Sequence, residues 1–189
     1  MARRRLPPDQ RRNELLDTGA RLFATRPYDE VHVEEVAEQA GVSRANLYRY
    51  FPSKRDLFAA IYRRAADDLL AVNTIDPAGS ILEQVSAGLD AHLDYFVANR
   101  QTVLTANRVL SGDPMIQAII SDELAELRRR LIDAVVCDGR RRAVAAATLH
   151  AWLVFVRALS VDWLAEQNFA RTELRDICLG ALQGALDRT

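Results

Sequence analysis

Three polar residues within one short segment have the chemistry needed to read nucleic-acid bases. Arg44, Asn46 and Arg49 lie within six residues of one another. A guanidinium can donate two hydrogen bonds to guanine, and a carboxamide can exchange two with adenine. On a helix that meets no duplex, the same side chains would be ordinary solvated residues. The elements that carry them must therefore decide between the two interpretations.

The segment that contains these residues has the spacing of a helix-turn-helix. Apolar periodicity and helix-breaking residues predict one helix over Val33–Ala40 and another over Arg44–Phe51. Ala37 supplies the small side chain needed where two helices cross closely, and Gly41 tolerates the positive φ that the turn requires. Ser43 is a favourable N-cap for the second helix, and backbone N–H groups at that end could hold a phosphate. This second helix would be the one that enters the major groove of DNA.

The rest of the sequence predicts an all-α fold of about nine helices without strands. The first helix is expected over about Asp9–Thr25, and Ser53 begins a long fourth helix. Pro52 should end the third helix, and the pair Asp113-Pro114 should begin the seventh. The remaining helices are expected near residues 81–98, 100–110, 114–136, 140–167 and 172–187.

Charge is distributed unevenly along the 189 residues. Residues 1–64 contain 13 Lys and Arg against 9 Asp and Glu, a net charge of +4, whereas residues 65–189 contain 12 against 17, a net charge of −5. Only the front of the chain is therefore expected to meet a polyanion. Arg3, Arg4 and Arg5 could form an arm on DNA, or merely a solubilising tail.

The sequence also indicates where in the cell the protein is expected. No apolar signal region follows the N-terminal arginines, and Cys137 and Cys178 are expected to be reduced core thiols. His150 and Arg157 interrupt the apolar stretch 143–161, so we expect a buried helix there and no membrane contact. These features are typical of a cytoplasmic protein, here one associated with the nucleoid.

A longer stretch of sequence around the predicted helix-turn-helix is specific enough to indicate a protein family. AGVSRANLYRYFPSKRDLF, residues 40–58, resembles the signature of the TetR family of bacterial repressors, and the upstream segment from Glu14 to Ser43 extends the likeness. Three positions depart from the family pattern: His32 is a poorer N-cap, Ala45 and Asn46 replace Gly and Thr, and Tyr50 replaces His. The changes at Ala45 and Asn46 bear on which operator sequence is read.

The resemblance implies a division of labour along the chain. Residues 1–52 would form the three-helix DNA-binding domain, and residues 53–189 a helical domain for effector binding and dimerisation. Lys54 and Tyr48 would contact phosphates. The full DNA-binding set would be Ser43, Arg44, Ala45, Asn46, Tyr48, Arg49 and Lys54.

The resemblance also implies a homodimer formed through the last two helices and a small-molecule effector held among the fifth to eighth. Helix 140–167 has two apolar stripes, and its sequence does not show which one lines the pocket. The candidate pocket residues are His92, Phe96, Leu104, Arg108, Trp152 and Phe155, each of which could equally be ordinary core or surface. Their composition suggests a largely apolar effector, with Arg108 able to meet an acidic group.

The expected function is a dimeric repressor that a small, largely apolar effector releases from a palindromic operator in double-stranded DNA. The alternative is a DNA-binding dimer without a sensor, serving as an architectural or protein-recruiting factor. An enzyme is disfavoured because the sequence has no HExxH motif, phosphate-binding glycine loop or nucleophile elbow. The acidic pairs of the back half fall on predicted polar faces, and no metal or cofactor is expected.

Overall fold

A computed structural model describes residues 7–76, 80–134 and 139–186. All regular secondary structure within these ranges is helical, which confirms the predicted all-α class. The described part of the chain contains nine α-helices: α1 (Pro8–Thr25), α2 (Val33–Gln39), α3 (Arg44–Tyr50), α4 (Lys54–Val72), α5 (Ile81–Ala98), α6 (Arg100–Leu104), α7 (Pro114–Ala134), α8 (Gly139–Glu166) and α9 (Arg171–Leu186). The predicted arm at Arg3–Arg5 and the thiol of Cys137 lie outside the described residues.

Two short helical segments differ from the expected pattern. A 3-10 turn at Tyr28–Glu30 occupies what was predicted to be a loop. The single helix predicted over residues 100–110 is instead α6 followed by a π-helical turn at Thr105–Val109. A π-helical turn places one extra residue in the helical repeat, and apolar periodicity over so short a stretch does not reveal it.

Side-chain caps set the starts of α4 and α7 where the sequence predicted them. The Ser53 hydroxyl accepts a hydrogen bond from the Asp56 backbone N–H (3.1 Å) and donates one to the Asp56 carboxylate (2.7 Å). Asp113 Oδ1 accepts from the backbone N–H groups of Met115 (2.9 Å) and Ile116 (3.2 Å). Both caps satisfy backbone donors that the first helical turn leaves free.

The described residues fall into two compact units, one within Met1–Ala65 and Asn99–Ile116, the other within Ala66–Ala98 and Gln117–Thr189. In the first unit, α1 packs against α2 and α6. Its core contains stacked and edge-on aromatic rings, with the Phe23 centroid 5.2 Å from Phe58 and 5.8 Å from Tyr28. Gly19 allows α1 to approach α4, because a Cβ there would lie 2.7 Å from Ile61 Cδ1.

The second unit is built around α8, which packs against α5 and α9. The Trp152 indole N–H donates to the Cys178 carbonyl oxygen at 2.8 Å, joining α8 to α9. Arg175 on α9 lies 3.2 Å from the Asp90 carboxylate on α5. Burial raises the pKa of the Cys178 thiol to about 11, so this thiol stays protonated near neutral pH.

Helix α8 is long and apolar enough to cross a bilayer by length and composition, and no other helix among the described residues is. Burial inside the protein also explains why this helix is apolar, because its residues Leu149, Val156 and Leu164 are buried inside the second unit. A helix that packs on several sides needs apolar residues on several faces.

Candidate nucleic-acid interface and ligand cavity

Helices α2 and α3 are joined by a sharp turn of the kind that the sequence predicted. Gly41 adopts a φ of +64°, a conformation that side chains with a Cβ rarely take. The Val42 N–H donates to the Ala37 carbonyl oxygen at 2.8 Å, which closes the end of α2. Ala37, Val36 and Leu47 are buried where the helices meet. The pair is therefore a helix-turn-helix.

Helix α3 buries one face and presents another. Leu47 is buried, whereas Ser43, Arg44, Ala45 and Arg49 are exposed. Asn46 and Tyr48 are half-buried at the edge of the exposed face. The Ser43 hydroxyl accepts from the Asn46 backbone N–H at 3.2 Å, so the expected N-cap is present. His32, the residue at the same place before α2, makes no side-chain cap, as the sequence indicated.

Arg44 has two neighbours on the protein surface. Its guanidinium lies 2.9 Å from the Glu34 carboxylate, with the two side chains 65% and 49% exposed, and 5.4 Å from the centre of the Tyr48 ring. Exposed ion pairs contribute at most about 1 kcal/mol, so a phosphate or a base edge can compete for this group. This role of Glu34 was not predicted from the sequence, because Glu34 lies ten residues away on another helix.

Lys54 is the first residue of α4 and is positioned by an aromatic ring. Its ammonium lies 4.4 Å from the centre of the Tyr28 ring, a cation–π contact. Partial burial lowers the pKa of Lys54, and the nearby charge of Asp29 acts in the opposite sense. Sequence reasoning placed Tyr28 in a loop and gave it no role; the 3-10 turn brings it under Lys54.

The second unit contains a partly open cavity of about 90 Å³, bounded by residues of α4, α5, α7 and α8 and of the segment after α4. This volume is several times what one water molecule requires. Most of the wall is apolar, and Leu69, Val85, Leu89, Leu124, Trp152 and Val156 contribute to it.

The structure places the six candidate pocket residues differently from one another. His92 and Trp152 are in the cavity wall, and Phe96 is buried in the same unit outside it. Phe155 is 38% exposed on α8. Leu104 and Arg108 belong to the first unit, where Leu104 is half-buried and Arg108 is exposed.

The cavity wall also contains three ionisable side chains. Arg157 Nη1 lies 3.1 Å from Glu123 Oε2, and both residues are buried. The expectation that acidic residues of the back half are solvated is therefore wrong for Glu123, because Arg157 compensates its charge inside the unit. Burial, and secondarily the charge of Arg157, lowers the pKa of His92 to about 3. His92 Nε2 is buried and has no hydrogen-bond partner among the described residues.

A bent helix pair, an exposed polar face on its second helix and a cation at the start of the next helix define a helix-turn-helix DNA-binding protein. Comparison with known proteins agrees: residues 15–61 match the family of bacterial regulatory proteins known as the tetR family. The family match, the relatives and the shared fold all support the TetR family, a family of DNA-binding transcriptional regulators.

Individual relatives support the assignment. The chain is 27% identical over 162 residues to the transcriptional activator FasR of Mycolicibacterium smegmatis, an alignment that covers 84% of this chain and 72% of FasR. It is 32% identical over 117 residues to the transcriptional repressor KstR2 of Rhodococcus jostii, which covers 62% of this chain but only about half, 52%, of KstR2. A tetR-family regulator from Streptomyces coelicolor shares the fold, with a TM-score of 0.83, 21% identity and coverage of 97% of this chain and 83% of that one.

Proposed function

We propose that the chain is a homodimeric transcriptional repressor that binds a palindromic operator and is released from it by a small, largely apolar effector. The observation that carries the DNA-binding part is the exposed face of α3, with Arg44, Ala45 and Arg49 open to solvent on a capped helix beyond a Gly41 turn. The site of action is the nucleoid, in the cytoplasm.

Each residue of this face takes a role from its chemistry. Arg44, Asn46 and Arg49 read base edges or the sugar-phosphate backbone, and Ala45 offers its methyl group to a thymine. Tyr48 and Lys54 hold phosphates, with Lys54 positioned by Tyr28. The backbone N–H groups behind Ser43 add a partial positive charge at the start of α3.

Dimerisation is supported by an exposed apolar face on the last two helices. On α8, Val154 is 44% and Phe155 is 38% exposed, and on α9 Ile177 is 48% exposed. Helical spacing puts exposed small residues on the same faces, which would let a second copy approach closely: Ala151, Ala158, Gly180, Ala181 and Gly184. A dimer has a direct use, because two recognition helices roughly 34–36 Å apart read two half-sites one DNA turn apart. In this arrangement Phe155 serves the dimer rather than the pocket.

The cavity of the second unit favours a sensor over an architectural protein with a filled core. Effector bound there would favour a conformation in which the two recognition helices no longer match the operator, and operator would weaken effector binding by the same factor. Among relatives, KstR2 is named a repressor and FasR an activator. We propose repression, which a reporter gene placed behind the operator would test directly.

Selection of bound fragments from random duplexes by the purified protein tests DNA recognition. We expect one palindromic sequence to be enriched. Lys54→Ala should weaken binding to all duplexes alike and reduce the slope of log affinity against log salt by about 0.9, because one phosphate contact is lost. Asn46→Ala should instead change the preferred sequence.

Arg140→Ala is the matched control, because it removes an exposed cation of the second unit. Its salt slope should equal that of the wild type. An unchanged slope for Lys54→Ala would remove this residue from the contact set. Enrichment of no duplex by the wild-type protein would refute DNA recognition altogether.

A further inference from the structure

We infer that the cavity of the second unit selects an uncharged ligand, a mostly apolar molecule with a hydroxyl group that hydrogen-bonds to His92. This deepens the proposed function by giving the effector a chemical class. It rests on that function only in treating the ligand as the effector, since binding itself requires no DNA.

The apolar side chains of the wall favour binding of an apolar ligand but do not select one apolar ligand over another. Leucine and valine side chains of α4, α5, α7 and α8 surround the space, and transfer of apolar surface from water into such a site is favourable. The ligand therefore has an apolar body. What distinguishes one apolar ligand from another must come from the few polar groups in the wall.

The charges in the wall disfavour an ionic ligand of either sign. Arg157 is the cation that a ligand carboxylate would seek, but Glu123 already lies 3.1 Å from it and both are buried. A second anion would be repelled by Glu123 and would lose its hydration without gaining a free partner. A cationic ligand would meet Arg157 in the same way.

A second cation near the cavity, Arg130, is also already paired within the protein. Arg130 on α7 lies 2.8 Å from the Glu126 carboxylate and donates to the carbonyl oxygens of Leu70 and Asn73, whose residues line the cavity. Its charge is thus compensated and its donors are in use. Neither Arg157 nor Arg130 could pair with a buried anionic group of a ligand without first giving up an existing partner.

His92 is the lining residue that has a buried polar atom without a hydrogen-bond partner among the described residues. Its Nε2 atom is buried without a partner, an unfavourable state that a ligand group can relieve. Because burial lowers the pKa of His92 to about 3, the ring is neutral near neutral pH, and one ring nitrogen donates while the other accepts. A hydroxyl group can serve as donor or acceptor, so it suits Nε2 in either tautomer.

Three other side chains of the wall donate hydrogen bonds within the protein. The Trp152 indole N–H donates to the Cys178 carbonyl oxygen at 2.8 Å. The Asn73 side-chain amide donates to the Leu69 carbonyl oxygen at 2.9 Å, and that of Gln84 donates to the Asp76 carbonyl oxygen at 2.9 Å. These bonds direct a ligand hydroxyl to His92 rather than to its neighbours.

The test uses the full-length protein without DNA and three probes of equal chain length: 1-octanol, octanoate and octylammonium at pH 7. Isothermal titration should show 1-octanol binding at least tenfold more tightly than either ion. His92→Phe keeps a ring but removes the nitrogen, and should weaken 1-octanol binding roughly fivefold, as expected for loss of one hydrogen bond. His32→Phe, the same substitution at an exposed position of the first unit, should leave all three affinities unchanged.

A second variant tests the charge argument independently. Glu123→Gln leaves Arg157 without its carboxylate, so octanoate affinity should rise at least tenfold while 1-octanol affinity changes less than threefold. Thermal melting establishes whether this variant folds. If it does not, His92→Phe and the wild-type preference among the three probes decide the matter.

The inference is overturned if octanoate binds the wild type as tightly as 1-octanol, if His92→Phe weakens both alike, or if no probe binds. Its failure is distinguishable from failure of the proposed function. Preferential 1-octanol binding that leaves operator affinity unchanged would support the ligand class and refute its role as an effector. Conversely, a protein that recognised no operator could still bind 1-octanol preferentially, because the titrations with the three probes contain no DNA.

Discussion

His92 lies where an imidazolium ion would be poorly solvated. Burial is the main reason that its pKa falls from the ordinary value of 6.5 to about 3, and the Arg157 charge adds to the effect. Glu123 sits against Arg157 and moderates its charge without removing it. Folding therefore requires His92 to remain neutral, while the unfolded chain is free to protonate it.

This residue should make stability depend on pH. Because the folded-state pKa is depressed, the unfolded chain binds more protons between about pH 6.5 and about pH 3, so stability falls as pH is lowered through that range. Chemical denaturation should show the wild type losing about 2 kcal/mol between pH 7 and pH 5 relative to His92→Phe. Parallel pH profiles for the two proteins would mean that His92 binds its proton equally well in the folded and the unfolded chain.

At the scale of elements, α3 depends on its cap more than the longer helices do. It has seven residues, from Arg44 to Tyr50, and isolated helices of that length are unstable in water. The Ser43 hydroxyl satisfies the Asn46 N–H at its start, and Leu47 holds its inner face. The exposed face of α3 is therefore held in place by one N-cap, one buried side chain and the Gly41 turn.

Removal of this cap should be measurable without DNA. Ser43→Ala should lower the free energy of unfolding by about 1 kcal/mol, because the Asn46 N–H loses its side-chain acceptor. Ser43→Asp, which keeps an acceptor at the N-cap, should retain most of the stability. Urea titrations of the three proteins decide the point: equal losses for Ala and Asp would show that something other than capping is responsible.

At the scale of the whole molecule, the operator recognition that we propose would depend on a second copy of the chain. A Cβ built at Gly180 or Gly184 meets no atom within 4 Å, so a larger residue fits in a single chain. Both glycines are exposed on α9, on the face that we propose for the dimer. A side chain there would hold two copies apart without disturbing the fold of either.

Gly180→Leu should therefore weaken the dimer at least tenfold and lower operator affinity with it, while the thermal stability of the monomer is maintained. Sedimentation velocity over a concentration series measures the dimer directly. Gly112→Leu is the matched control, because Gly112 is also exposed with open space around it but lies in the first unit. Unaltered association by Gly180→Leu would exclude this part of α9 from the interface.

Features that depend on a few consecutive residues were predictable from sequence. Gly41, Ser43, Ser53 and Asp113 act through backbone conformation or through hydrogen bonds that span three residues or fewer, and the structure has each of these features where it was expected. The all-α class follows for the same reason, since helical periodicity is local. The recognition helix and its exposed residues were therefore specified by local chemistry.

Contacts between distant residues were decided only by the tertiary structure. Glu123 and Arg157 are 34 residues apart, and Tyr28 and Lys54 belong to different elements. Periodicity shows that a face of a helix is apolar, but not which neighbour covers it. On α8 apolar residues occur on most sides. The burial of Trp152 and the exposure of Phe155, both predicted from the sequence to line the pocket, therefore followed only from the placement of α5 and α9. The cavity and the neutral state of His92 have the same origin, because burial is a property of packed helices and not of residue order.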